Sequence, residues 1–225
     1  RDGVAGLHDE LRRQGLPPHP GQGPGHGGGG EFPGGGGTRP PGPGRPCVAD
    51  AADPAQLYVT LRTRLRCQVW ASPACEKPAI KHCLNEVVSD KGAHPGLGTL
   101  DCHGDGMHVT TVQADGLVIS TPSGSTGYNM AVGGPVVAPS VPCTVLSPIA
   151  PHSLSFRPIT VPESSKIEIS IPRESRAEGY RAIFDGSAQG SALGKGGSVL
   201  VEPSLFPFPI INSRRYDHDW YVGLN

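Results

Sequence analysis

Short strand-like segments separated by turn residues constrain the fold of this chain more than any other feature of its sequence. In 58–70 and 166–171 apolar residues recur at every second position, which is the pattern of a strand with one buried face. The segments are 58–70, 87–89, 100–103, 107–112, 116–120, 143–146, 166–171, 180–184 and 198–201. Helical periodicity is scarce, and the best helical runs are 127–137 and 217–224. The sequence therefore predicts a mainly β protein, an antiparallel β-sandwich.

The longest alternating segment, 58–70, is interpreted as one half-buried strand. Its apolar face would consist of Val59, Leu61, Leu65, Cys67 and Val69. Its other face would carry three arginines, Arg62, Arg64 and Arg66. Such a row of cations suits either solvent or an anionic ligand. We favour a solvated outer face, because antiparallel sheets commonly leave one face in water.

The first part of the chain differs sharply in composition from the rest. Residues 1–46 hold 16 of the 33 glycines and 9 of the 25 prolines. Such a segment cannot bury enough apolar surface to offset its conformational entropy. We therefore predict a disordered or linker segment over 1–56, within which 4–16 could form a short helix. The folded β-sandwich domain is predicted over 57–225.

Charge and hydropathy argue against several classes of function. The net charge is −1, so the chain lacks the basic excess that nucleic-acid-binding proteins carry. No apolar run approaches the roughly 18 residues that a membrane span needs. The first residues lack the apolar core of a signal peptide. We expect a cytoplasmic protein without nucleic-acid or membrane partners, with a plastid or a mitochondrion left open as its compartment.

The cysteines favour buried, reduced thiols over a metal centre. There are six of them: Cys47, Cys67, Cys75, Cys83, Cys102 and Cys143. No two form a Cys-x-x-Cys pair, and the histidines next to Cys83 and Cys102 do not complete a common zinc pattern. Cys67 and Cys143 lie in strand-like apolar runs, where a thiol packs as a small apolar side chain. We therefore predict no metal ligands.

A loop of small residues follows the strand-like segment 116–120. Residues 115–128 read Asp-Gly-Leu-Val-Ile-Ser-Thr-Pro-Ser-Gly-Ser-Thr-Gly-Tyr. Serine, threonine and glycine carry little bulk, so backbone N–H groups and hydroxyls in this loop can come close to a polar ligand. By composition alone the segment is either a ligand loop or an ordinary polar loop beside a strand.

Three further segments accompany this loop. They are Leu-Asn-Glu-Val-Val at 84–88, Ser-Pro-Ile-Ala-Pro-His-Ser-Leu-Ser-Phe-Arg-Pro-Ile at 147–159 and Ile-Phe-Asp-Gly at 183–186. Together with 115–128 they resemble, in order and spacing, signature segments of the NAD kinase family in its eukaryotic type. The resemblance implies the β-sandwich C-terminal domain of that family. It also implies an enzyme that phosphorylates the 2′-hydroxyl of the adenosine ribose of NAD, with ATP and Mg²⁺, to make NADP.

The resemblance implies a dinucleotide pocket to which nine residues contribute. They are Asn85, Glu86, Asp115, Ser123, Thr126, Gly127, Tyr128, Ala150 and Asp185. In this pocket Asn85 and Glu86 contact the dinucleotide, and Asp115 binds its nicotinamide end. Asp185 approaches the substrate, within one subunit or across the interface of a dimer or tetramer. Considered locally, Asn85 could instead cap a turn and Asp115 could begin an Asp-Gly turn.

One signature of the NAD kinase family has no counterpart in these 225 residues. Family members carry a Gly-Gly-Asp-Gly segment in an N-terminal α/β domain, which we expect to be largely absent from this chain. The nearest match, Gly104-Asp105-Gly106, lies between two strand-like arms and is interpreted as a hairpin turn. We therefore predict no catalytic residue here. Three hypotheses follow: part of an NAD kinase, a non-catalytic remnant that binds NAD or NADP, or a β-sandwich interaction module without a ligand.

Overall fold

The computed structural model describes residues 57–152, 156–177, 179–212 and 218–224. The predicted linker over 1–56 and its alternative helix lie outside these residues. The strands are β1 Tyr58–Arg62, β2 Leu65–Trp70, β3 Ala79–Cys83, β4 Glu86–Asp90, β5 Thr99–Gly104, β6 Met107–Gln113, β7 Gly116–Ser120, β8 Cys143–Ile149, β9 Ile159–Pro162, β10 Ile167–Ser170, β11 Tyr180–Phe184, β12 Ser191–Leu193, β13 Ser198–Pro203 and β14 Phe208–Asn212. The helical elements are a 3₁₀ turn at Ser123–Thr126, helix α1 at Tyr128–Ala131 and helix α2 at His218–Gly223.

Two six-stranded antiparallel sheets form a sandwich. The first sheet has the strand order β3-β2-β13-β10-β5-β6, and the second has the order β12-β11-β4-β7-β8-β9. A separate two-stranded ribbon pairs β1 with β14. One core cluster contains side chains of both sheets, such as Leu100 and Ile169 of the first and Ile119 of the second. The predicted antiparallel β-sandwich is confirmed.

The second sheet is covered on both faces at its centre. Every residue of β7 is buried, and so are the first six residues of β8. Ile119 belongs to the core cluster, so its neighbour Val118 points to the opposite face, and both are excluded from solvent. The segment that follows β7 covers this outer face, where the hydroxyl of Ser147 donates to Oδ1 of Asn129 over 2.7 Å. The ends of β7, where the predicted site residues lie, are therefore held by a buried strand.

The predicted single strand over 58–70 is wrong, because the chain changes its pairing partner in the middle. β1 pairs with β14 in the ribbon, whereas β2 pairs with β13 and β3 in the first sheet. Val59 and Leu61 are exposed, while Leu65 and Cys67 are buried. The period-two alternation continues through the break between β1 and β2, so the pattern alone could not reveal it.

The predicted solvated row of arginines does not form, because the two strands separate its members. Arg62 ends β1, whereas Arg64 and Arg66 belong to the connection and to β2. Arg64 donates from Nε to the carbonyl of Phe206 over 2.7 Å, and the guanidinium of Arg66 donates to the carboxylate of Glu202. These two arginines therefore fasten β13 and the segment after it to β2.

The predicted helix over 127–137 is wrong in length, since α1 occupies only Tyr128–Ala131. Gly133 adopts a φ of 82°, a left-handed conformation that ends a helix. Pro135 follows and has no N–H group with which a helix could continue. The second predicted helix, over 217–224, is confirmed as α2.

The predicted hairpin around Gly104-Asp105-Gly106 is confirmed. β5 pairs with β6 on either side of it. Asp105 has a φ of 51° and Gly106 a φ of 80°, the positive values that the two central residues of a type I′ turn adopt. The carboxylate of Asp105 accepts the N–H of Lys166 over 2.9 Å, which ties the turn to the start of β10.

Four short strands, β3, β9, β12 and β14, were not predicted. Three of them lie at the edges of the two sheets, and β14 belongs to the ribbon. β9 ends with Pro162 and β14 contains Pro209, a residue that edge strands tolerate and central strands do not. Because edge strands bury few side chains, they leave only a weak alternating pattern in the sequence.

Candidate functional site

The predicted site residues lie in two clusters at opposite ends of the same strands. β4 and β7 run antiparallel, with Glu86 opposite Ser120. Asn85 and the loop after β7 lie at this end, whereas Asp115, which precedes β7, lies at the other end. The four residue steps of β7 separate the two ends by roughly 13 Å, at about 3.3 Å per step. An extended ligand would be needed to contact both clusters.

Asp185 holds the backbone of the Asn-Glu segment in the first cluster. Its carboxylate accepts the N–H groups of Leu84 over 2.8 Å, Asn85 over 2.7 Å and Glu86 over 3.2 Å. Its own N–H donates to the carbonyl of Glu86 over 3.0 Å. Asp185 adopts a φ of 48°, which is uncommon outside glycine, and Gly186 follows with 65°. This tight turn directs the carboxylate toward the start of β4.

The loop after β7 is bonded to the same segment from the other side. The N–H of Thr121 donates to the carbonyl of Asn85 over 2.8 Å, and its hydroxyl donates to the carbonyl of Leu84 over 2.7 Å. At Gly124 a Cβ atom would lie only 2.3 Å from the carbonyl oxygen of Asn85. The loop therefore approaches the Asn-Glu backbone so closely that only glycine fits at position 124.

The side chain of Glu86 is buried beside this loop, with 6% of its surface exposed. Its Oε2 atom has no hydrogen-bond partner among the residues that the structure describes. Burial raises the pKa of the Glu86 carboxyl above its ordinary value, and the nearby charge of Asp185 raises that pKa further. A Cβ atom at Gly127 would lie 3.5 Å from Oε2, so the unsatisfied oxygen faces the loop.

The remaining predicted residues of the loop lie at its surface. Ser123 and Thr126 begin and end the 3₁₀ turn and are half-buried. Gly127 and Tyr128 follow and are exposed, with 43% of the Tyr128 surface open to solvent. The structure thus brings these four residues together with Glu86 at one end of β7, and the phenol ring of Tyr128 is free to pack on a ligand.

Asn129 anchors this loop through buried hydrogen bonds. It was not predicted as a site residue. It is fully buried, and its Nδ2 donates to the carbonyls of Ser125 over 3.1 Å and Pro135 over 3.0 Å. Its Oδ1 accepts the hydroxyl of Ser147 over 2.7 Å. The predicted helix over 127–137 includes Asn129, but a helical pattern alone does not predict that its amide is buried and hydrogen-bonded. Its short polar side chain in a Gly-rich stretch was the signal for a loop anchor.

The second cluster contains Asp115, Ala150 and one residue that the sequence did not indicate. The N–H of Asp115 donates to the carbonyl of Ile149 over 2.9 Å, which brings Asp115 next to Ala150. Ala150 is exposed and adopts a φ of 44°. Nζ of Lys91 lies 2.8 Å from Oδ1 of Asp115 and also donates to the carbonyl of Gly96 over 2.8 Å. No motif or periodicity marks Lys91, because it lies just after β4.

A cavity of about 570 Å³ opens beside the second cluster. Its lining includes Lys91, Gly92, His94, Tyr180 and Arg181. Lys91 borders this cavity and also pairs with Asp115, whereas Asp115 is not part of the lining. A ligand group at Asp115 would therefore lie close to the ammonium group of Lys91.

The described residues contain neither a metal-binding cluster nor a membrane-spanning helix. No group of three or more His, Cys, Asp or Glu side chains among them could hold a metal ion. No helix in the part of the chain that the structure describes is long and apolar enough to cross a membrane.

A known domain family matches the part of the chain that carries most of the sandwich and both clusters. The family description "ATP-NAD kinase C-terminal domain" matches residues 84–213, a range that contains both clusters. This match takes in more than half of the chain. The chain therefore belongs to the ATP-NAD kinase family, as its sequence segments predicted.

Curated relatives agree with this assignment. The chain is 40% identical over 168 residues to "NAD kinase 2, chloroplastic" of Arabidopsis thaliana, a match that covers 75% of this chain and 17% of the relative. It is 38% identical over 171 residues to the "NAD(+) kinase" of Saccharomyces cerevisiae, covering 70% of this chain and 32% of the relative. The chain thus spans at most about a third of the length of these two relatives.

Two solved structures share the fold. A yeast NADH kinase complexed with NADH superposes with a TM-score of 0.67 at 32% identity, covering 74% of this chain and 47% of that chain. An NAD kinase from Archaeoglobus fulgidus in complex with ATP superposes with a TM-score of 0.58 at 26% identity, covering 73% of this chain and 59% of that chain. The first of these proteins therefore binds NADH, and the second binds ATP.

Proposed function

We propose that this chain is the dinucleotide-binding part of an NAD kinase, which uses ATP to phosphorylate the 2′-hydroxyl of the adenosine ribose of NAD. One observation carries the proposal. Oε2 of Glu86 is buried without a hydrogen-bond partner among the described residues, and it faces the loop at Gly127. A buried carboxylate oxygen is costly unless it accepts a hydrogen bond. A ribose hydroxyl supplies the donor that this oxygen lacks.

The two clusters would divide the dinucleotide between them. The first cluster takes the adenosine half, with Asn85, Glu86, Ser123, Thr126, Gly127, Tyr128 and Asp185. The second cluster takes the nicotinamide end, with Asp115 and Ala150. In this arrangement Asp185 acts on the ligand through the backbone that it holds, since its carboxylate already accepts three N–H groups. The distance of roughly 13 Å along β7 suits an extended dinucleotide.

Transfer of a phosphoryl group requires the attacking hydroxyl to be held in line with the γ-phosphate of ATP. The residues proposed here bind and orient the ribose, and none of them is assigned the role of catalytic base. Mg²⁺, when bound to the phosphates, would neutralise their charge. Because the described residues offer no cluster for a metal ion, no step is assigned to Mg²⁺ in this chain.

A non-catalytic module that binds NAD or NADP is the second candidate function. The 225 residues contain no Gly-Gly-Asp-Gly segment, which supplies phosphate contacts and the assisting Asp in the family. Without those groups we expect the purified chain to form NADP very slowly or not at all. Vigorous NADP formation from NAD and ATP by the 225-residue chain would contradict this expectation.

Calorimetric titration of the 225-residue chain with NAD and with NADP tests the binding site. We expect binding of at least one of the two, weakened roughly tenfold by Glu86→Ala, because a hydrogen bond to a charged group contributes about 1.5 kcal/mol. Glu76→Ala is the matched control, since Glu76 is an exposed carboxylate outside both clusters. The proposal fails if neither dinucleotide binds at millimolar concentration.

A further inference from the structure

We infer that Lys91 sets the preference of this site between NAD⁺ and NADH by neutralising Asp115. The inference rests on the proposed function, in which Asp115 contacts the nicotinamide end of the ligand. No sequence motif marks Lys91. The motifs also leave open which redox form of the dinucleotide binds better.

Lys91 and Asp115 are joined by both side chain and backbone. Nζ of Lys91 lies 2.8 Å from Oδ1 of Asp115, and the N–H of Lys91 donates to the carbonyl of Asp115 over 3.0 Å. A second bond from Nζ to the carbonyl of Gly96, over 2.8 Å, fixes the ammonium group in place. The ion pair is therefore held in a fixed position within the second cluster.

The two partners differ in their access to solvent. The side chain of Lys91 is only 12% exposed, whereas that of Asp115 is 45% exposed. A ligand can thus reach the carboxylate while the ammonium group stays largely behind it. Because the Lys91 side chain is largely enclosed by protein, the field of its ammonium group at the ligand is screened less than that of a fully exposed lysine.

The redox forms of the ligand differ mainly in charge at this end. The nicotinamide ring of NAD⁺ carries a positive charge, and the dihydronicotinamide ring of NADH carries none. A lone carboxylate would attract the oxidised ring and so favour NAD⁺. A carboxylate paired with an ammonium group has no net charge, so the pair discriminates little between the two forms. Lys91 thereby allows NADH to bind nearly as well as NAD⁺.

A nearby ion pair provides a matched control for this charge effect. Nη2 of Arg181 lies 3.5 Å from Oδ1 of Asp90, and its side chain is 55% exposed. Arg181 borders the same cavity as Lys91, but its partner is not Asp115. Removing the Arg181 cation changes the net charge of the protein by the same amount as removing the Lys91 cation. It leaves the Asp115 carboxylate paired with Lys91.

The test is the ratio of the dissociation constants of NADH and NAD⁺ for the 225-residue chain, measured by calorimetry and by NADH fluorescence. In Lys91→Met we expect the Kd of NADH divided by the Kd of NAD⁺ to rise roughly five- to tenfold, which means relatively tighter binding of NAD⁺. This is the size of effect expected from one unpaired charge near a protein surface. The shift should shrink in high salt. Arg181→Met should leave the ratio close to that of the unsubstituted chain. An unchanged ratio in Lys91→Met would overturn the inference.

Asp115→Asn supplies an independent measurement if Lys91→Met does not fold. With the carboxylate removed and the ammonium group kept, the ratio should move the other way, toward NADH. The double variant should return the ratio close to its original value, since it is again neutral. Movement of Asp115→Asn toward NAD⁺ would also overturn the inference. If the unsubstituted chain bound neither NAD⁺ nor NADH, the proposed function would fail. If it bound them but the ratio of their dissociation constants stayed the same in every variant, only the role of Lys91 would be refuted.

Discussion

Oδ1 of Asp185 lies 2.7 Å from the backbone nitrogen of Asn85, a residue that precedes it by 100 positions in the chain. This contact joins the Phe-Asp-Gly turn after β11 to the Asn-Glu segment before β4. Thr121 reaches the same segment from the loop after β7. Three of the four signature segments therefore meet around a few backbone groups, which explains why they occur together in one chain.

Replacement of Asp185 by Ala should lower the free energy of unfolding and loosen the Asn-Glu segment. The variant leaves three N–H groups without their acceptor, and because two of these bonds are exposed to solvent and the third is partly buried we expect a loss of about 1–2 kcal/mol. Urea denaturation measures this loss, and hydrogen exchange at residues 84–86 should speed up.

Asp105→Ala is the matched control for Asp185→Ala. Asp105 also has a positive φ, precedes a glycine in a hairpin turn and accepts a backbone N–H through its carboxylate. It should lose stability while dinucleotide affinity stays the same. Equal losses of affinity in the two variants would show that Asp185 has no special role at the site.

Gly124→Ala should be strongly destabilising. Its Cβ would lie 2.3 Å from the carbonyl oxygen and 2.6 Å from the Cα of Asn85, and backbone atoms cannot give way as a flexible side chain can. We expect a loss of roughly 2–3 kcal/mol in the free energy of unfolding, with displacement of the loop. Gly179→Ala is the control, because no atom lies within 4 Å of its Cβ position. Equal melting temperatures for the two variants would contradict this account.

Stability should depend on pH through Glu86. Its folded-state pKa is raised above the ordinary value of 4.5, so the folded protein binds this proton more tightly than the unfolded chain does. The resulting stabilisation is complete below the unfolded pKa and is lost as the pH rises through the folded pKa. Glu86→Gln removes the charge that becomes buried at higher pH.

At neutral pH, Glu86→Gln should therefore be more stable than the unsubstituted chain, by on the order of 1 kcal/mol. This gain should shrink as the pH falls toward the unfolded value of 4.5 and vanish well below it, where Glu86 is protonated in both states. Thermal melts across this pH range give the comparison, with Glu76→Gln as the exposed control. A gain that stays constant with pH would rule out titration of Glu86 as its cause.

The cysteines should react with alkylating reagents in order of burial. Cys67 and Cys143 are buried free thiols, as predicted, and Cys67 lies with its Sγ 3.8 Å from that of Cys83. Burial raises the pKa of Cys102 to about 11, so almost no thiolate forms there at pH 8. Among the five cysteines that the structure describes, Cys75 is half-exposed and should be alkylated first in the native protein, as peptide mass spectrometry can show. Alkylation of Cys102 before Cys75 would contradict the packing.

The sequence by itself determined the elements whose information is local. Period-two alternation predicted strands such as β2 and β10, short apolar runs predicted β4, β7 and β8, and Asp105-Gly106 predicted a hairpin turn, because each pattern reports on residues that are neighbours in the chain. The signature segments identified the family, and the binding roles of their residues stay predictions. The same local patterns missed edge strands such as β12 and ran β1 and β2 together, since alternation does not record which strand is the partner.

Only the tertiary structure decided how the candidate site is assembled. The grip of Asp185 on Asn85, the unsatisfied Oε2 of Glu86 and the pairing of Lys91 with Asp115 all depend on residues far apart in sequence. Burial and charge at these positions follow from the packing of two sheets and one loop. A sequence pattern carries only the type and spacing of residues, whereas hydrogen bonds and ion pairs depend on distances that the whole fold sets.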